Sequence, residues 1–264
     1  MDLFVRESGP AEAPAIVFLH GGNLSGWSWQ PIVERMPRYR CLVPDLPQFG
    51  KSFEQGPFEI GRAADGVAEL IRSRVSTGRA HLVGFSLGAQ VGAKLLASRP
   101  KLVDRAVLCG TVINTKSGVE LMQRLAVPLA RTTWFRWVIR RRWSAQDVGI
   151  PADRLDDYRE DVRLLSGTQY AHVVSASGRF TLPDGLDKSD TPALFITGSE
   201  EMRLVRRGAA ALAQRMPNGV DRVASGMNHD WPLRYPDLFS RTVDSWLTDT
   251  ALPPEIGMPM ASRR

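Results

Sequence analysis

Short apolar runs that end in glycine or proline recur along the chain. Five of them have the length and the β-branched and aromatic content of strands that are buried on both faces. They occupy residues 15–22, 39–47, 79–85, 102–110 and 191–198. The pattern predicts that these five segments are strands of a mostly parallel sheet.

Segments with helical periodicity separate these runs. In residues 60–75 the apolar side chains at positions 60, 64, 67, 68 and 71 have the spacing of a helix packed on a sheet. Residues 87–100 form a second such segment, and residues 241–247 close a last helix. Strands that alternate with helices indicate an α/β fold with a parallel sheet.

One segment, residues 115–189, breaks the alternation. It has no clear buried strand and contains several helix-like pieces rich in Trp and Arg. We therefore predict a core formed by residues 1–114 and 190–264, with a helical cap inserted at 115–189. The tail at 252–264 has two adjacent prolines and no periodicity, which predicts a disordered or loosely attached segment.

Composition and charge are those of an ordinary globular chain of 264 residues, with 43% hydrophobic and 23% charged residues. No apolar run could span a bilayer and no signal region is apparent, so we expect a cytoplasmic location and no membrane partner. Cys41 and Cys109 lie in apolar runs and are expected to be buried free thiols. The net charge of +6 is densest at residues 134–143. Because no nucleic-acid-binding motif accompanies that run, an amphipathic helix is expected and no nucleic acid partner.

The first candidate for chemistry is Ser86, in the pentapeptide Gly84-Phe85-Ser86-Leu87-Gly88. A predicted strand precedes it and a predicted helix follows it, which is the context of a nucleophile elbow. The two glycines allow the tight turn, and the helix directs the Leu87 N–H toward the site. Read alone, the same pentapeptide is an ordinary strand-to-helix corner.

An oxyanion hole requires a second N–H donor. The strand at 15–22 ends in His20-Gly21-Gly22, where the missing side chains let backbone N–H groups face a ligand. Gly22 is the expected donor, although a glycine turn that merely closes a strand would look the same.

The general base is found by elimination among four histidines. His20 precedes the glycine turn, His81 begins the strand before the elbow, and His172 lies in the insertion. Only His229, in a loop after a short β-like run and before the last helix, gives the order serine, acid, histidine at the carboxyl edge of the sheet.

Taken together, the motifs resemble the α/β-hydrolase superfamily, in a serine esterase-like form with a helical cap. The matching pieces are "HGG", "VPDLPQFGKS", "LVGFSLGA", "FITGSEE" and "MNHDWPLRYPDLF". The stretch "HGGNLSGWSW" is similar to small-ester hydrolases related to plant methylesterases and hydroxynitrile lyases. The resemblance implies an α/β-hydrolase fold and ester chemistry.

The acid of the triad is where the chain departs from the family pattern. After the strand at 191–198 the family places aspartate in G-x-x-D, and this chain has Glu201 in that position. Glutamate can orient and stabilise the imidazole as aspartate does. Glu200 is an alternative, and a solvated acidic turn without a catalytic role is another.

We therefore expect a hydrolase that cleaves a carboxylic ester of a small molecule without a cofactor or a metal ion. Ser86 is the expected nucleophile, His229 the base and Glu201 the acid, with Gly22 and Leu87 as oxyanion donors. Aromatic side chains of the cap and the core are candidates for a substrate wall, although such residues more often form core. They are Trp27, Trp134, Trp137 and Trp231, with Trp29 and Phe135 as further candidates.

Other activities remain open at this point. The same elbow and histidine serve lyases, cofactor-free perhydrolases and carbon–carbon bond hydrolases, because pocket residues decide the reaction. A non-catalytic ligand-binding protein of the same fold is a third hypothesis. A homodimer is also left open.

Overall fold

The computed structural model describes residues 1–114, 132, 150, 152–164 and 167–259. Within them, eight strands form one sheet in the order β1-β3-β2-β4-β5-β6-β7-β8. The strands are β1 (Val5–Ser8), β2 (Ala15–Leu19), β3 (Arg40–Pro44), β4 (Ala80–Phe85), β5 (Val103–Cys109), β6 (Ala193–Gly198), β7 (Gly219–Ala224) and β8 (Ile256–Gly257). The edge strands β1 and β8 are antiparallel to their neighbours, and every other pair is parallel. The predicted α/β-hydrolase architecture with a mostly parallel sheet is confirmed.

The five predicted strands correspond to β2 to β6. Every residue of β2 and of β6 is buried. In β2, Val17 and Leu19 belong to the core on one face of the sheet, and Ile16 and Phe18 to the core on the other. This two-sided burial explains why the strands read as continuous apolar runs.

Helices cover both faces of the sheet. Ile71, Leu96 and Leu212 come from three helices packed on one face, whereas Ile32 and Phe239 come from helices on the other. The helices of the described residues are α1 (Gln30–Val33), α2 (Ile60–Arg74), α3 (Leu87–Ser98), α4 (Leu155–Leu164), α5 (Gly167–Gly178), α6 (Arg203–Arg215), α7 (Trp231–Arg234) and α8 (Pro236–Leu247). Short 3-10 helices occur at Gly26–Trp29, Gly50–Ser52, Pro100–Leu102, Ala152–Arg154 and Leu186–Lys188. No helix of these described segments is long and apolar enough to cross a membrane.

The C-terminal tail corrects one expectation. Residues 252–264 were expected to be loosely attached, yet Ile256–Gly257 pairs with β7 as an edge strand. The Ser225 N–H donates to the Glu255 carbonyl at 2.9 Å, and the Ile256 side chain is 7% exposed. The segment is attached by one short ladder, by the buried Pro253 and Ile256 and by Leu252, which packs on the core. These contacts produce no periodic pattern in the sequence.

Two helices of the predicted insertion, α4 and α5, lie within the described residues. Three hydrogen bonds hold together the segments that lead into and out of the insertion, one directly and two through Gln90. The Asn114 N–H donates to the Phe180 carbonyl at 2.9 Å. The buried Gln90 side chain of α3 donates to the Val112 carbonyl at 2.8 Å and to the Ser177 carbonyl at 3.3 Å. The connections of the insertion are thus attached to α3, the helix that follows Ser86.

Candidate active site

Ser86 lies between β4 and α3 in a strained backbone conformation. Its φ and ψ angles are 53° and −109°, and residues other than glycine rarely adopt a positive φ. The Ser86 N–H donates to the Cys109 carbonyl at 2.8 Å, which connects the turn to the neighbouring strand β5. Strained backbone of this kind is concentrated at functional sites, and it persists only where the surrounding structure holds it in place.

The glycines of the pentapeptide permit close backbone approach. A Cβ at Gly84 would lie 2.8 Å from the Gly88 carbonyl oxygen, and a Cβ at Gly88 would lie 2.1 Å from the Leu19 carbonyl oxygen. Side chains at either position would collide with backbone atoms. The two glycines therefore meet the steric requirement of an elbow that raises Ser86 above the sheet edge.

His229 lies opposite this serine, in the loop between β7 and α7. Its Nε2 is 3.0 Å from the Ser86 Oγ, within hydrogen-bond distance. The imidazole is 5.1 Å from the Phe85 ring, measured between ring centroids. The backbone N–H of His229 donates to the Asn228 Oδ1 at 3.0 Å. The ring is thus held against the elbow with one nitrogen toward the serine.

The second imidazole nitrogen contacts Glu201. The His229 Nδ1 is 2.5 Å from the Glu201 Oε1, and the glutamate side chain is 1% exposed. The other carboxylate oxygen, Oε2, accepts the Gly198 N–H at 3.2 Å. Glu200 is exposed, and no hydrogen bond of the described residues joins its carboxylate to His229. The structure thus brings Glu201, and not Glu200, to the histidine.

Gly110, which the sequence marked only as the end of a strand, lies behind this pair. Its φ is +70°, and a Cβ there would lie 2.7 Å from the His229 Cε1 and 3.3 Å from the Glu201 Oε1. The absence of a side chain at this position leaves room for the imidazole and the carboxylate to meet.

The glycine turn after β2 lies beside the elbow. A Cβ at Gly21 would lie 3.6 Å from the Ser86 Cβ, and one at Gly22 would lie 4.0 Å from the Leu87 Cδ2. Leu87 is the first residue of α3, and the first N–H groups of a helix have no partner within it. The two expected oxyanion donors, Gly22 and Leu87, are therefore neighbours close to the serine.

His20 orients the first of these donors. It is fully buried, and the Leu46 N–H donates to its Nε2 at 2.9 Å. Its Nδ1 must then carry the hydrogen, which it donates to the Gly21 carbonyl at 2.9 Å. Burial lowers the pKa of His20 to about 4, with the Asp45 charge acting in the opposite direction, so the ring is neutral near pH 7. In a trans peptide C=O and N–H point in opposite directions, so this bond turns the Gly22 N–H away from His20.

A cavity of about 730 Å³ opens over Ser86 and His229. Met202 and Tyr235 line it and are 70% and 48% exposed, so it reaches the surface. Its other apolar lining residues include Leu24, Phe85, Val112, Tyr158, Val205 and Leu233. Its polar lining residues include Asn23, Asn228, Asp230 and Arg234. The cavity is mostly apolar, with polar groups near the serine and at the mouth.

Trp27 and Trp231, two of the tryptophans expected to form a substrate wall, do not line this cavity. Trp231 is 0% exposed and packs on Phe239 in the core, with 5.0 Å between ring centroids. Trp27 is 5% exposed, and its Nε1 donates to Asp161. Both side chains are held in the core by packing or hydrogen bonding. This is the alternative that the sequence left open for these aromatic residues. Trp134, Phe135 and Trp137 lie outside the described residues.

Comparison with known protein families identifies the family of this chain. The model of the alpha/beta hydrolase family matches residues 16–242. The chain belongs to the α/β hydrolase family. The matched span includes the glycine turn, the elbow, Glu201 and His229. It also includes the whole of the predicted insertion.

Similar proteins include enzymes of several kinds. The chain is 25% identical to an (E)-2-((N-methylformamido)methylene)succinate hydrolase of Acinetobacter baylyi, over 90% of this chain and 92% of that protein. It is 25% identical to a pimeloyl-[acyl-carrier protein] methyl ester esterase of Yersinia enterocolitica, over 86% of this chain and 91% of the relative. The crystal structure of the enol-lactonase from Burkholderia xenovorans superposes with a TM-score of 0.76 at 23% identity, covering 93% of this chain and 96% of that one. The structural likeness supports the fold.

Proposed function

We propose that the protein is a serine hydrolase that cleaves a carboxylic ester through Ser86, His229 and Glu201. The observation that carries the proposal is the continuous hydrogen-bonded series from the Ser86 Oγ through the imidazole to a buried carboxylate, with distances of 3.0 and 2.5 Å. Nucleophile, base and orienting acid in this relation are what acyl transfer by serine requires.

The reaction begins when the Ser86 Oγ attacks the ester carbonyl and His229 Nε2 accepts the hydroxyl proton. The tetrahedral intermediate carries a negative oxygen, which the Gly22 and Leu87 N–H groups stabilise. The imidazolium then returns the proton to the departing alkoxide, so the alcohol leaves and an acyl-enzyme forms. Water then attacks the acyl-enzyme, and His229 again acts as the base. This hydrolysis releases the carboxylic acid and regenerates the Ser86 hydroxyl.

Glu201 supports this cycle from the opposite side of the ring. It accepts the hydrogen on Nδ1, which leaves the lone pair of Nε2 directed at the serine. Its buried negative charge also stabilises the imidazolium that forms in each half of the cycle. No cofactor takes part in any step.

The substrate class is inferred from the cavity and from two relatives. The relatives are an esterase that acts on a methyl ester and a hydrolase that acts on a substituted succinate. The mostly apolar lining favours an ester whose acyl or alcohol part buries hydrocarbon beside Leu24, Val205 and Leu233. We therefore propose a small-molecule ester as the substrate.

The test is release of p-nitrophenol from esters of increasing acyl length by the wild type, Ser86→Ala and Ser98→Ala. Ser98 is at the other end of α3, so Ser98→Ala removes a serine hydroxyl from the same helix without touching the site. We expect Ser86→Ala to abolish activity and Ser98→Ala to retain it. Equal activity in the wild type and Ser86→Ala would show that Ser86 is not the nucleophile.

Labelling by a fluorophosphonate separates the remaining outcomes. A wild-type protein that is labelled at Ser86 but cleaves no ester retains the nucleophile and contradicts the ester substrate. A protein that is neither labelled nor active contradicts the serine hydrolase itself and favours a ligand-binding role.

A further inference from the structure

The oxyanion loop, residues 20–29, is in contact with both described helices of the insertion. From α4, the Asp161 carboxylate accepts the Trp27 Nε1–H at 2.7 Å. The Ser25 side chain lies beside this carboxylate and acts to lower its pKa. All three residues are buried, with exposed fractions of 6% for Asp161, 5% for Trp27 and 1% for Ser25. A buried carboxyl group that accepts an indole N–H forms a specific attachment between α4 and the loop.

The second contact comes from α5. Burial raises the pKa of Tyr170 and the Asn23 side chain lowers it, so the tyrosine lies beside the residue directly after Gly22. Asn23 has a φ of 62°, a left-handed conformation that asparagine tolerates better than most residues. This contact therefore holds a residue whose backbone conformation determines where the preceding peptide points.

From the core, the oxyanion loop is held on both sides of the segment 22–25. His20 binds the Gly21 carbonyl, and the buried Asp45 accepts the Gly26 N–H at 2.7 Å. Asp45 is itself paired with Arg6 at 2.5 Å. Between these two anchors, Asn23 lies beside Tyr170 and Ser25 lies beside Asp161, and both partners belong to the insertion. The loop that carries the Gly22 N–H is thus held between core and insertion.

We propose that Asp161 and Tyr170 are positioning residues that orient the oxyanion donor Gly22 through Ser25, Trp27 and Asn23. The inference rests on the proposed serine hydrolase function. It assigns to the insertion a part in turnover: docking of α4 and α5 on the oxyanion loop prepares the site for the tetrahedral intermediate.

The physical reason is that an oxyanion donor acts only when it is already directed at the developing charge. A loop held from the core alone has more freedom around residues 22–25, so its N–H is aligned in a smaller fraction of molecules. The ground-state ester interacts weakly with this N–H. Loss of the contacts therefore lowers kcat more than it raises KM.

The test uses three variants that each remove one polar group and preserve most of the packing. Asp161→Asn replaces a two-acceptor carboxylate by an amide of the same size, Tyr170→Phe removes one hydroxyl, and Trp27→Phe removes the N–H donor. Asp156→Asn is the matched control, because it makes the same substitution on the same helix at a side chain that is 96% exposed. Each protein is titrated with a fluorophosphonate so that rates refer to active sites.

We expect kcat to fall roughly tenfold in Asp161→Asn and Tyr170→Phe, less than the 10²–10³ lost when a whole donor is removed. KM should change less than threefold. Binding of a trifluoromethyl ketone, whose adduct carries the oxyanion, should weaken by the same factor as kcat. The loss of kcat in Asp161→Asn combined with Trp27→Phe should be smaller than the sum of the two single losses, since both variants weaken the same contact.

Two results would overturn the inference. One is an unchanged kcat and ketone affinity in Tyr170→Phe and Asp161→Asn with only a lower melting temperature, which would make the contacts purely structural. The other is an equal loss in Asp156→Asn. If Asp161→Asn does not fold, Tyr170→Phe alone decides between these results. Failure of the proposed function looks different, because the wild type then lacks Ser86-dependent labelling or turnover.

Discussion

The Glu201 carboxylate is almost fully buried, whereas its partner, the His229 ring, is 38% exposed at the cavity. The acid therefore lies behind the imidazole, in a medium where its charge is poorly screened, and the ring faces the substrate side. The Gly198 N–H holds the second carboxylate oxygen, so the glutamate has one orientation toward Nδ1. The carboxylate and the imidazole are thus held in one relative orientation beside Ser86.

The first prediction concerns the identity of the acid. Glu201→Gln leaves the size of the side chain unchanged but removes the charge, so kcat should fall by roughly 10²–10⁴, as for other triad acids. Glu201→Asp retains the charge on a side chain one methylene shorter, and should lose less. Ester hydrolysis at saturating substrate measures both. Glu200→Gln is the control, and a larger loss in that variant than in Glu201→Gln would reassign the acid.

The second prediction tests the space behind the imidazole. Gly110→Ala should lower kcat at least tenfold, because its Cβ would lie 2.7 Å from the His229 Cε1. Gly78→Ala is a matched control, since Gly78 has a φ of +67° and no atom within 4 Å of its Cβ position. Both variants should lose about 1 kcal/mol of stability from the left-handed backbone.

Denaturant unfolding and ester hydrolysis, measured on the two alanine variants side by side, separate these effects. Normal activity in Gly110→Ala would mean that the imidazole can occupy another position.

The third prediction concerns the pH dependence of stability. Burial raises the pKa of Asp161 from 3.8 to about 7; Asp45 also raises it, whereas hydrogen bonds from Trp27 and Ser25 and the Arg6 charge lower it. Between pH 3.8 and about 7, the Asp161 carboxyl group keeps its proton in the folded protein, whereas it has lost this proton in the unfolded chain. The free energy of unfolding should therefore fall as pH rises from about 4 to 7, through Asp161.

Urea unfolding of the wild type and Asp161→Asn at several pH values isolates this contribution, because the amide does not titrate. As pH rises, the free energy of unfolding of Asp161→Asn should increase relative to that of the wild type. A constant difference across this range would show that Asp161 is not perturbed.

The fourth prediction concerns His20. Because burial lowers its pKa to about 4, its ring should stay neutral, with the hydrogen on Nδ1, from pH 8 down to pH 5. Nitrogen-15 NMR of the imidazoles, assigned with His20→Gln, measures both the tautomer and the titration. The free energy of unfolding contributed by His20 is present above pH 6.5 and is lost as pH falls toward 4. Titration of His20 near pH 6.5 would contradict the arrangement at the Gly21 carbonyl.

Much of the fold could be predicted because each central strand is buried on both faces, as in β2 and β6. The edge strands β1 and β8 were missed for the converse reason. The residues of β1 are half-buried or exposed, and β8 contributes one buried side chain. A strand with one covered face and a free edge has no continuous apolar run.

In the site, residues that a local backbone conformation requires were easier to predict than residues whose role depends on a contact with a distant part of the chain. Gly84 and Gly88 flank a turn whose geometry depends on a few neighbouring residues, so the pentapeptide indicated the elbow. Trp231 was a candidate for the cavity lining but lies in the core. The sequence could not separate these two environments, because a tryptophan occurs in both. Asp161 and Tyr170 were not singled out, since one buried acid or tyrosine in an irregular helical segment has no distinguishing pattern.

By itself, the sequence determined the order of the central strands and their alternation with helices, the elbow and the expected base, since these depend on residues adjacent in the chain or on order along it. Only the tertiary structure decided which carboxylate meets the imidazole, that Trp27 and Trp231 lie in the core and how the insertion contacts the oxyanion loop. His229 is 28 residues from Glu201 and 143 from Ser86, and Trp27 is 134 from Asp161. Contacts at such separations depend on how the sheet and its helices pack, and not on local propensity.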